Sequence, residues 1–362
     1  MKVLVVGAGL AGLSATLTLQ DSGVDVTLVE ASGQVGGRAQ HENIDGFILN
    51  RGLHLVNREN SEIKRFNIVN QIPFQNAPFD LLSRLEQTLL FKSLVSSPRS
   101  GTNLASYLGR SLTDQISAVL LSKFLVTPQE VESTIGVPFV RELLNAKYGL
   151  PKHGIGAMAF ELGERVKDLR LNTRVTSVSE NSLETNSGKM SFDFIIFALD
   201  YQNAVELEIL PDREKRTDFA RTIIWHHASN EKFSSLKSIK FHKNPSGPVI
   251  NSNVISNWMP SYAPEGKTLV VSTSLRESDE KKVRKHLSTI YGGNLDDLSE
   301  VARFDIPYSI PIATNRFRNT LRIDKRKFLA GDWREGITHG AALKSGRRAA
   351  ETLLFDLRRK NL

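Results

Sequence analysis

The first thirty residues alternate between short apolar runs and a segment with helical spacing. Residues 3–6 form an apolar run, and residues 2–6 have the length and character of a buried strand. Leucines recur on one face from about residue 10 to residue 21, and Ser22-Gly23 then ends the segment. Residues 25–29 predict a second strand. The pattern predicts one βαβ unit with parallel strands and a right-handed crossover.

The rest of the chain predicts an interrupted sheet domain. Residues 57–148 show helical spacing without strand alternation, and the glycine-containing turn at 151–156 precedes a return to the first sheet. Residues 203–310 are predicted to enter the second domain again. The last predicted elements are a strand and a long helix. The later predicted elements are helices over 103–110, 112–126, 158–167, 277–290 and 340–358, and strands over 174–179, 194–198, 267–273 and 328–330.

The fold class that follows is α/β, with a discontinuous Rossmann-like domain and a second, α+β domain. We expect residues 1–58, 150–202 and 311–362 to form the first domain, and residues 59–149 and 203–310 to form the second. Two domains agree with the length of 362 residues, since a domain usually has about 100–200 residues.

The composition excludes several kinds of site and of membrane segment. The chain has no cysteine, which excludes disulfides, cysteine-ligated zinc, iron–sulfur clusters and a cysteine-linked flavin. The apolar run at residues 3–6 is broken by Gly7, so we do not expect a secretory signal. No run approaches the roughly 18 apolar residues of a membrane span. These features favour a cytoplasmic protein.

The net charge is +8. The lysines and arginines are scattered and are not interleaved with aromatic residues, so we do not expect nucleic-acid binding. The densest basic cluster, residues 325–327, precedes an apolar strand and is interpreted as a solvated turn. Basicity suits an ordinary basic protein, but attraction to an acidic substrate or peripheral contact with anionic lipids stays open.

A glycine-rich turn joins the first strand to the first helix. Its sequence is Gly-Ala-Gly-Leu-Ala-Gly at residues 7–12. The first glycine makes the tight turn, the second lets backbone approach a pyrophosphate, and the third lets helix and strand pack closely. The helix N-terminus then presents free N–H groups to the phosphates. The residues of this turn predicted to bind a dinucleotide are Gly7, Gly9, Leu10, Ala11 and Gly12.

The sequence that follows the second strand helps to decide whether the dinucleotide is NAD or FAD. Glu30 ends the second strand, where a carboxylate can bind ribose hydroxyls, and Ala31 follows it. Gly36-Gly37-Arg38 comes soon after, and an arginine can neutralise pyrophosphate charge. This arrangement resembles the FAD-dependent amine oxidase and phytoene desaturase superfamily. The resemblance implies FAD as cofactor and a second loop that grips its diphosphate.

Two further segments are similar to that superfamily. Gly52, Leu53 and His54 look like the element that passes beside the flavin, although His54 could equally be a buried, hydrogen-bonded histidine. Asn50 stands where the family usually has an aspartate, so any role of that charge is in doubt. Residues 151–156 and 171–176 resemble the family's middle segment, which implies backbone contact between Val175 and the adenine end; a plain core role for Val175 is the alternative.

The C-terminal stretch is the second segment whose sequence strongly indicates a flavin site. Gly331-Asp332 follows a strand, where a carboxylate can accept ribityl hydroxyls, and Gly340-Ala341 opens a helix whose N–H groups can face the flavin pyrimidine ring. These elements, with Ser-Gly-Arg at 345–347, resemble the family's C-terminal series. Trp333 is either a wall beside the flavin or a packing residue.

No metal site or nucleophile is predicted. His226 and His227 are adjacent, so on a strand they point to opposite faces and do not chelate together easily. The chain has neither HExxH nor a nucleophile elbow. Tyr262 and Trp258 are more simply core aromatics than cavity walls. We name no catalytic residue.

The function predicted is that of an FAD-dependent oxidoreductase that removes hydride from a small or apolar organic substrate. We prefer a desaturase-like enzyme to a flavin amine oxidase, because residues 306–311 lack the lysine that such oxidases often place near the flavin. An isomerase that uses reduced flavin, and a flavin-bound protein that acts as a partner or sensor, are alternatives. A nicotinamide dehydrogenase is disfavoured, since no second GxGxxG follows a strand.

Overall fold

The structure of the protein is a computed structural model. It describes residues 1–52, 55–77, 97–98, 101–210, 219–232, 234–242, 246–274, 278–292, 296–311 and 321–360.

The secondary structure alternates between strands and helices along these ranges. The strands are β1 (Val3–Val6), β2 (Val26–Val29), β3 (His41–Ile44), β4 (Phe47–Asn50), β5 (Val56–Asn57), β6 (Phe74–Asn76), β7 (Tyr148–Pro151), β8 (Leu169–Arg170), β9 (Val175–Val178), β10 (Ser182–Thr185), β11 (Gly188–Ser191), β12 (Phe194–Phe197), β13 (Phe219–Ser229), β14 (Lys240–Phe241), β15 (Val249–Val254), β16 (Thr268–Ser274), β17 (Ser299–Pro311) and β18 (Lys327–Leu329). The helices are α1 (Leu10–Asp21), α2 (Ser61–Arg65), α3 (Ile68–Gln71), α4 (Leu104–Leu108), α5 (Arg110–Phe124), α6 (Ser133–Asn145), α7 (Ala157–Gly163), α8 (Tyr201–Glu206), α9 (Glu280–Tyr291), α10 (Asp332–Glu335) and α11 (His339–Lys360).

The first sheet is parallel and has the order β18-β12-β1-β2-β8. Its central strand β1 is buried on both faces. Val3 and Val5 share a core with α1, α7 and α11, whereas Leu4 and Val6 share a core with β10 and α8. Helix α1 lies against α11, and the Ser14 hydroxyl donates to the carbonyl oxygen of Leu343 at 2.6 Å. The first and last helices that the structure describes therefore share one layer, and the predicted Rossmann-like α/β fold is confirmed.

The second sheet is antiparallel and has the order β14-β15-β16-β13-β17. One face buries Trp225 and Val270 against Val283 and Leu287 of α9. The other face belongs to a core that includes Tyr262. The buried faces of β15 and β16 also carry polar side chains, which is unusual for a sheet core.

Three details differ from the sequence expectations. The stretch predicted as wholly helical contains β6, which pairs with β7. Helix α7 ends at Gly163, not near residue 167. Helix α2, placed by prediction in the second domain, contributes Ile63 to the core beneath the first sheet. The domain boundaries otherwise stay predictions. Within the described ranges, no helix combines the length and apolarity that crossing a membrane requires.

Candidate functional site

A cavity of about 840 Å³ lies between the carboxyl ends of the first sheet and the polar face of the second. Parallel α/β sheets bind ligands at this end of their strands. Most of the residues predicted to bind the cofactor line it, although they come from distant parts of the sequence. The predicted residues in its wall are Gly7, Gly9, Leu10, Ala11, Glu30, Ala31, Gly36, Gly37, Arg38, Gly52, Val175, Gly331 and Asp332.

The two glycine loops form one continuous backbone surface. Gly7 has φ of +98°, and a Cβ there would lie 2.5 Å from the carbonyl oxygen of Ala198. The Gly36 N–H donates to the carbonyl oxygen of Ala8 at 2.8 Å, which holds the second loop against the first. Gly12 is not in the cavity wall; a Cβ there would lie 1.8 Å from the carbonyl oxygen of Gly7, so it serves close packing of helix and strand.

Glu30 is held in one orientation by three donors. Its Oε2 accepts the Ala8 N–H at 2.7 Å, and its Oε1 accepts the Ser32 N–H at 2.9 Å and the Ser32 hydroxyl at 2.8 Å. A carboxylate has about four lone-pair sites, so acceptor capacity is left for a ribose hydroxyl. The hydrogen bond to Ala8 also ties this carboxylate to the glycine turn.

Arg38 and Asp332 meet in the cavity wall, although 294 positions separate them. Their side chains form an ion pair, and Arg38 Nη1 also donates to the carbonyl oxygen of Ser309 at 3.3 Å. The Asp332 carboxylate raises the pKa of Arg38, which keeps the guanidinium charged. The second loop, the C-terminal segment and β17 thus meet at one charged point.

Asn50 has a structural role that an aspartate would fill less well. Its Oδ1 accepts the Ile155 N–H at 3.0 Å, and its Nδ2 donates to the Tyr262 hydroxyl at 3.3 Å. That hydroxyl itself donates to the carbonyl oxygen of Pro151 at 2.9 Å. An amide can accept and donate at once, whereas an ionised carboxylate only accepts. Tyr262 is thereby confirmed as a core residue.

Other sequence expectations have mixed outcomes. Leu53 and His54 lie outside the described residues. Trp258 is confirmed as a buried core residue. Trp333 is a packing residue: its indole N–H donates to the carbonyl oxygen of Leu199 at 3.0 Å, and its ring packs edge-on against Tyr201.

The N-terminus of α11 begins one residue earlier than predicted, at His339. The Ala341 N–H donates to the Thr338 hydroxyl at 3.2 Å, so it already has an internal partner. A Cβ at Gly340 would lie 2.2 Å from the Asn60 side chain. Neither Gly340 nor Ala341 lines the main cavity, whereas Thr338 and His339 do. The flavin contacts of Gly340 and Ala341 stay predictions.

Sequence reasoning missed Lys123, which lies in the last turn of α5 and lines the cavity. Its Nζ donates to the carbonyl oxygen of Ile337 at 2.7 Å. Burial lowers the pKa of Lys123 to about 8. A lysine near a helix end is ordinarily solvated, and nothing in the local sequence separates this one from such a residue.

Sequence reasoning also missed the polar wall on the second sheet. Thr222, Asn251 and Thr273 are buried and line the cavity from β13, β15 and β16. The Asn251 amide donates to the Ser122 hydroxyl at 2.6 Å, which connects this wall to α5. Local strand patterns do not reveal it, because the three residues come together only through sheet pairing.

The arrangement fits an extended dinucleotide. The glycine surface allows backbone to approach a diphosphate, Glu30 lies at the end of β2, and Arg38 supplies positive charge beside the glycines. The far end of the cavity reaches Asp332 and the start of α11. Among the residues that the structure describes, no group of three histidine, aspartate or glutamate side chains is placed to hold a metal ion.

Comparison with known proteins gives two family matches. Residues 88–354 match the family described as flavin containing amine oxidoreductase, and residues 5–67 match an NAD(P)-binding Rossmann-like domain. Together the matches include both glycine loops and the C-terminal Gly-Asp element.

Solved structures share the whole fold. An oxidoreductase from Methanosarcina mazei superposes with a TM-score of 0.78 at 15% identity, over 97% of this chain and 100% of that one. A putative protoporphyrinogen oxidase from Exiguobacterium sp. 255-15 superposes with a TM-score of 0.73 at 18% identity, over 99% of each chain. At these identities the likeness concerns the fold alone.

The curated relatives match over a short stretch. The carotenoid 3,4-desaturase of Haloarcula japonica is 50% identical over 50 residues, which is 14% of this chain and 10% of that protein. The chain thus matches only about a tenth of the length of that relative.

Proposed function

The chain belongs to the flavin-containing amine oxidoreductase family, with FAD as its cofactor, and from this premise we propose that it is an FAD-dependent dehydrogenase of a small polar organic substrate. The observation that carries the proposal is the single cavity shared by the glycine loops and the polar wall of the second sheet. Bound FAD supplies the hydride acceptor in such an enzyme.

Residues at one end of the cavity would bind the cofactor, and residues of the second sheet would bind the substrate. Glu30 would bind ribose hydroxyls, and Arg38 would neutralise diphosphate charge. Asp332, fixed by its ion pair with Arg38, would orient the ribityl hydroxyls. Val175, at the start of β9, would contact the adenine end. These residues bind and orient the cofactor and leave the second-sheet wall to the substrate.

The size and polarity of the cavity favour a small substrate. A cavity of about 300–1,000 Å³ typically holds one drug-sized ligand, so FAD would fill most of the 840 Å³ observed. The buried hydroxyls of Thr222 and Thr273 and the amide of Asn251 suit a substrate with hydrogen-bonding groups. The Thr222 hydroxyl donates to the carbonyl oxygen of Ser274 at 3.2 Å and the Asn251 amide donates to Ser122, so both already have protein partners. Their oxygen atoms and the second Asn251 N–H can still bond a polar substrate, and a long hydrocarbon would not use them. We therefore favour a polar substrate over the apolar chain expected from sequence.

The test is reduction of the bound flavin. The purified protein should release FAD on denaturation, and its flavin absorbance should bleach under anaerobic conditions with a small polar substrate. Amines, terpenoids, carotenoids, amino acids and hydroxy acids form the panel. An intact flavin spectrum that no compound bleaches would favour the partner or sensor alternative. Denatured protein that releases only a nicotinamide would contradict the proposal outright.

Cytoplasmic location and loose contact with anionic lipids belong to the proposal as well. The net charge of +8 supports such contact. Cosedimentation with phosphatidylserine vesicles that weakens with added salt is the expected result, and equal sedimentation with phosphatidylcholine vesicles would argue against it.

A further inference from the structure

Lys123 stands between two cavities. It lines the main cavity and also a smaller one of about 100 Å³ beside it. Its Nζ donates to the Ile337 carbonyl oxygen at 2.7 Å and lies 5.5 Å from the centre of the Phe139 ring. An ammonium group has three N–H donors. The Ile337 carbonyl occupies one, so two donors are left for a ligand.

The charge of Lys123 has no close counter-ion. Across the described parts of the chain, no carboxylate oxygen lies within 4.0 Å of its Nζ. Glu142 on α6 and Asp332 on α10 are its nearest acidic influences, and both raise its pKa. Burial outweighs them and lowers the pKa to about 8, so the group is still mainly cationic at pH 7.

Both acidic groups are engaged elsewhere. Glu142 accepts the Asn57 amide at 3.1 Å, and Asp332 is paired with Arg38. The titratable groups on the remaining neighbouring elements are Tyr148 on β7 and His339 on α11. Burial raises the pKa of Tyr148, so its hydroxyl stays neutral. A buried cation without a paired anion costs free energy, and an anion in the cavity would recover it.

The second-sheet wall adds no negative charge of its own. The described residues of β13, β15, β16 and β17 that line the main cavity are neutral, and Thr222, Asn251 and Thr273 among them are hydrogen-bonding residues. A protonated amine would meet the Lys123 ammonium without a compensating carboxylate on this wall. A carboxylate would meet a cation and the Asn251 amide, whose second N–H is left after its hydrogen bond to Ser122.

We propose that Lys123 binds an anionic group of the substrate, namely a carboxylate, and so restricts the substrate class to small organic acids. This inference rests on the proposed function and deepens it. It assigns Lys123 a binding role that depends on its positive charge, with the Ile337 carbonyl and the Phe139 ring holding the ammonium in place.

The experiment measures binding of simple probes to the FAD-loaded protein by calorimetry and by the change in flavin absorbance. The probes are propionate and benzoate, their amides, and propylamine. Propionate or benzoate should bind at pH 7, whereas the amides and propylamine should bind at least tenfold more weakly. Above pH 8 the carboxylate affinity should fall about tenfold per pH unit as Lys123 loses its proton. At pH 8, calorimetry in two buffers should show uptake of about half a proton per bound carboxylate.

Variants of Lys123 separate the effect of its charge on carboxylate binding from its effect on the structure. Lys123→Met should weaken carboxylate binding about ten- to hundredfold, the range of one charge-assisted hydrogen bond. Lys123→Arg should keep binding and lose the pH dependence between 7 and 9, since arginine stays charged. Lys285→Met, on the exposed face of α9, removes an equal charge far from the cavity and should change nothing.

Two results would overturn the inference: equal carboxylate binding by Lys123→Met and the unmodified protein, or stronger binding of propylamine than of propionate. Should Lys123→Met not retain FAD, the pH profile of Lys123→Arg decides, because an unchanged fall above pH 8 excludes Lys123 as its source. If carboxylates did not bind, but the protein held FAD and another class of substrate bleached it, the proposed function would stand and only the role of Lys123 would fall. If the protein neither held FAD nor showed flavin bleaching, the proposed function itself would fall.

Discussion

Gly346 lies where the last helix of the chain touches the first, and replacing it with alanine tests how closely they must pack. A Cβ at Gly346 would lie 1.9 Å from the carbonyl oxygen of Ala11 and 3.0 Å from the Ala15 nitrogen. Since Cβ atoms essentially never come within 3.0 Å of such atoms, α11 and α1 would have to separate by about 1 Å. The obstructing atoms are backbone, so no side-chain rotation relieves the contact.

The expected cost follows from two opposing effects. Overpacking costs about 1–3 kcal/mol, and the upper end applies because two rigid helices must move. Alanine also gains up to about 1 kcal/mol over glycine in a helix. We expect Gly346→Ala to lower the free energy of unfolding by about 2 kcal/mol. FAD affinity should fall too, since α1 begins at the glycine turn and α11 begins at the far end of the cavity.

The assay is urea unfolding followed by circular dichroism, together with equilibrium dialysis of FAD. Gly163→Ala is the matched control: it also lies in a helix, but its Cβ would meet only the Val35 side chain, at 3.3 Å. The control should be neutral or slightly stabilising. If Gly346→Ala unfolded at the same urea concentration as Gly163→Ala and bound FAD equally well, the close backbone approach of the two helices would be wrong.

Three further substitutions have defined outcomes. Arg347→Met should cost about 3 kcal/mol in urea unfolding, because it leaves the buried Glu62 carboxylate without its paired guanidinium; a loss no larger than that of Arg347→Lys would contradict this. Burial lowers the pKa of His226 to about 3, so the unfolded chain takes up the proton first and stability falls by about 1.4 kcal/mol per pH unit below about pH 6.5. His226→Leu should remove that part of the acid sensitivity, and parallel unfolding curves of both proteins at pH 7 and pH 5 check it. Asn50→Asp should cost about 1–3 kcal/mol at pH 7 and less at pH 4, because it buries a carboxylate against the Tyr262 hydroxyl, which already has an acceptor; equal losses at both pH values would argue against that reasoning.

The cofactor half of the site could be predicted from sequence because its chemistry is local. The glycine turn, Glu30 and the Gly36-Gly37-Arg38 loop each need particular backbone freedom or charge within a few residues, and such demands leave a readable pattern. The burial of β1 and the helical spacing of α1 likewise follow from short-range periodicity. The C-terminal Gly331-Asp332 could be recognised only through its resemblance to a family.

The substrate half could not be predicted, because it is assembled by long-range pairing. Thr222 and Thr273 become part of one wall only when β13 pairs with β16. Lys123 reaches the cavity because α5 packs beside the start of α11, and its local sequence is that of an ordinary surface helix. Tertiary contacts, and not local patterns, determine that its pKa falls.

The interleaving of the first sheet affects how the protein is made. Strand β1 and helix α1 leave the ribosome early, but β18 and α11 follow more than 300 residues later. At about 5–20 residues per second, translation separates them by roughly 15–60 s. During that interval α1 lacks its contact with α11, and β12 lacks its parallel partner β18. We therefore expect apolar surface of the first sheet to stay exposed until late in translation, and FAD to bind only after Gly331 and Asp332 have completed the cavity wall.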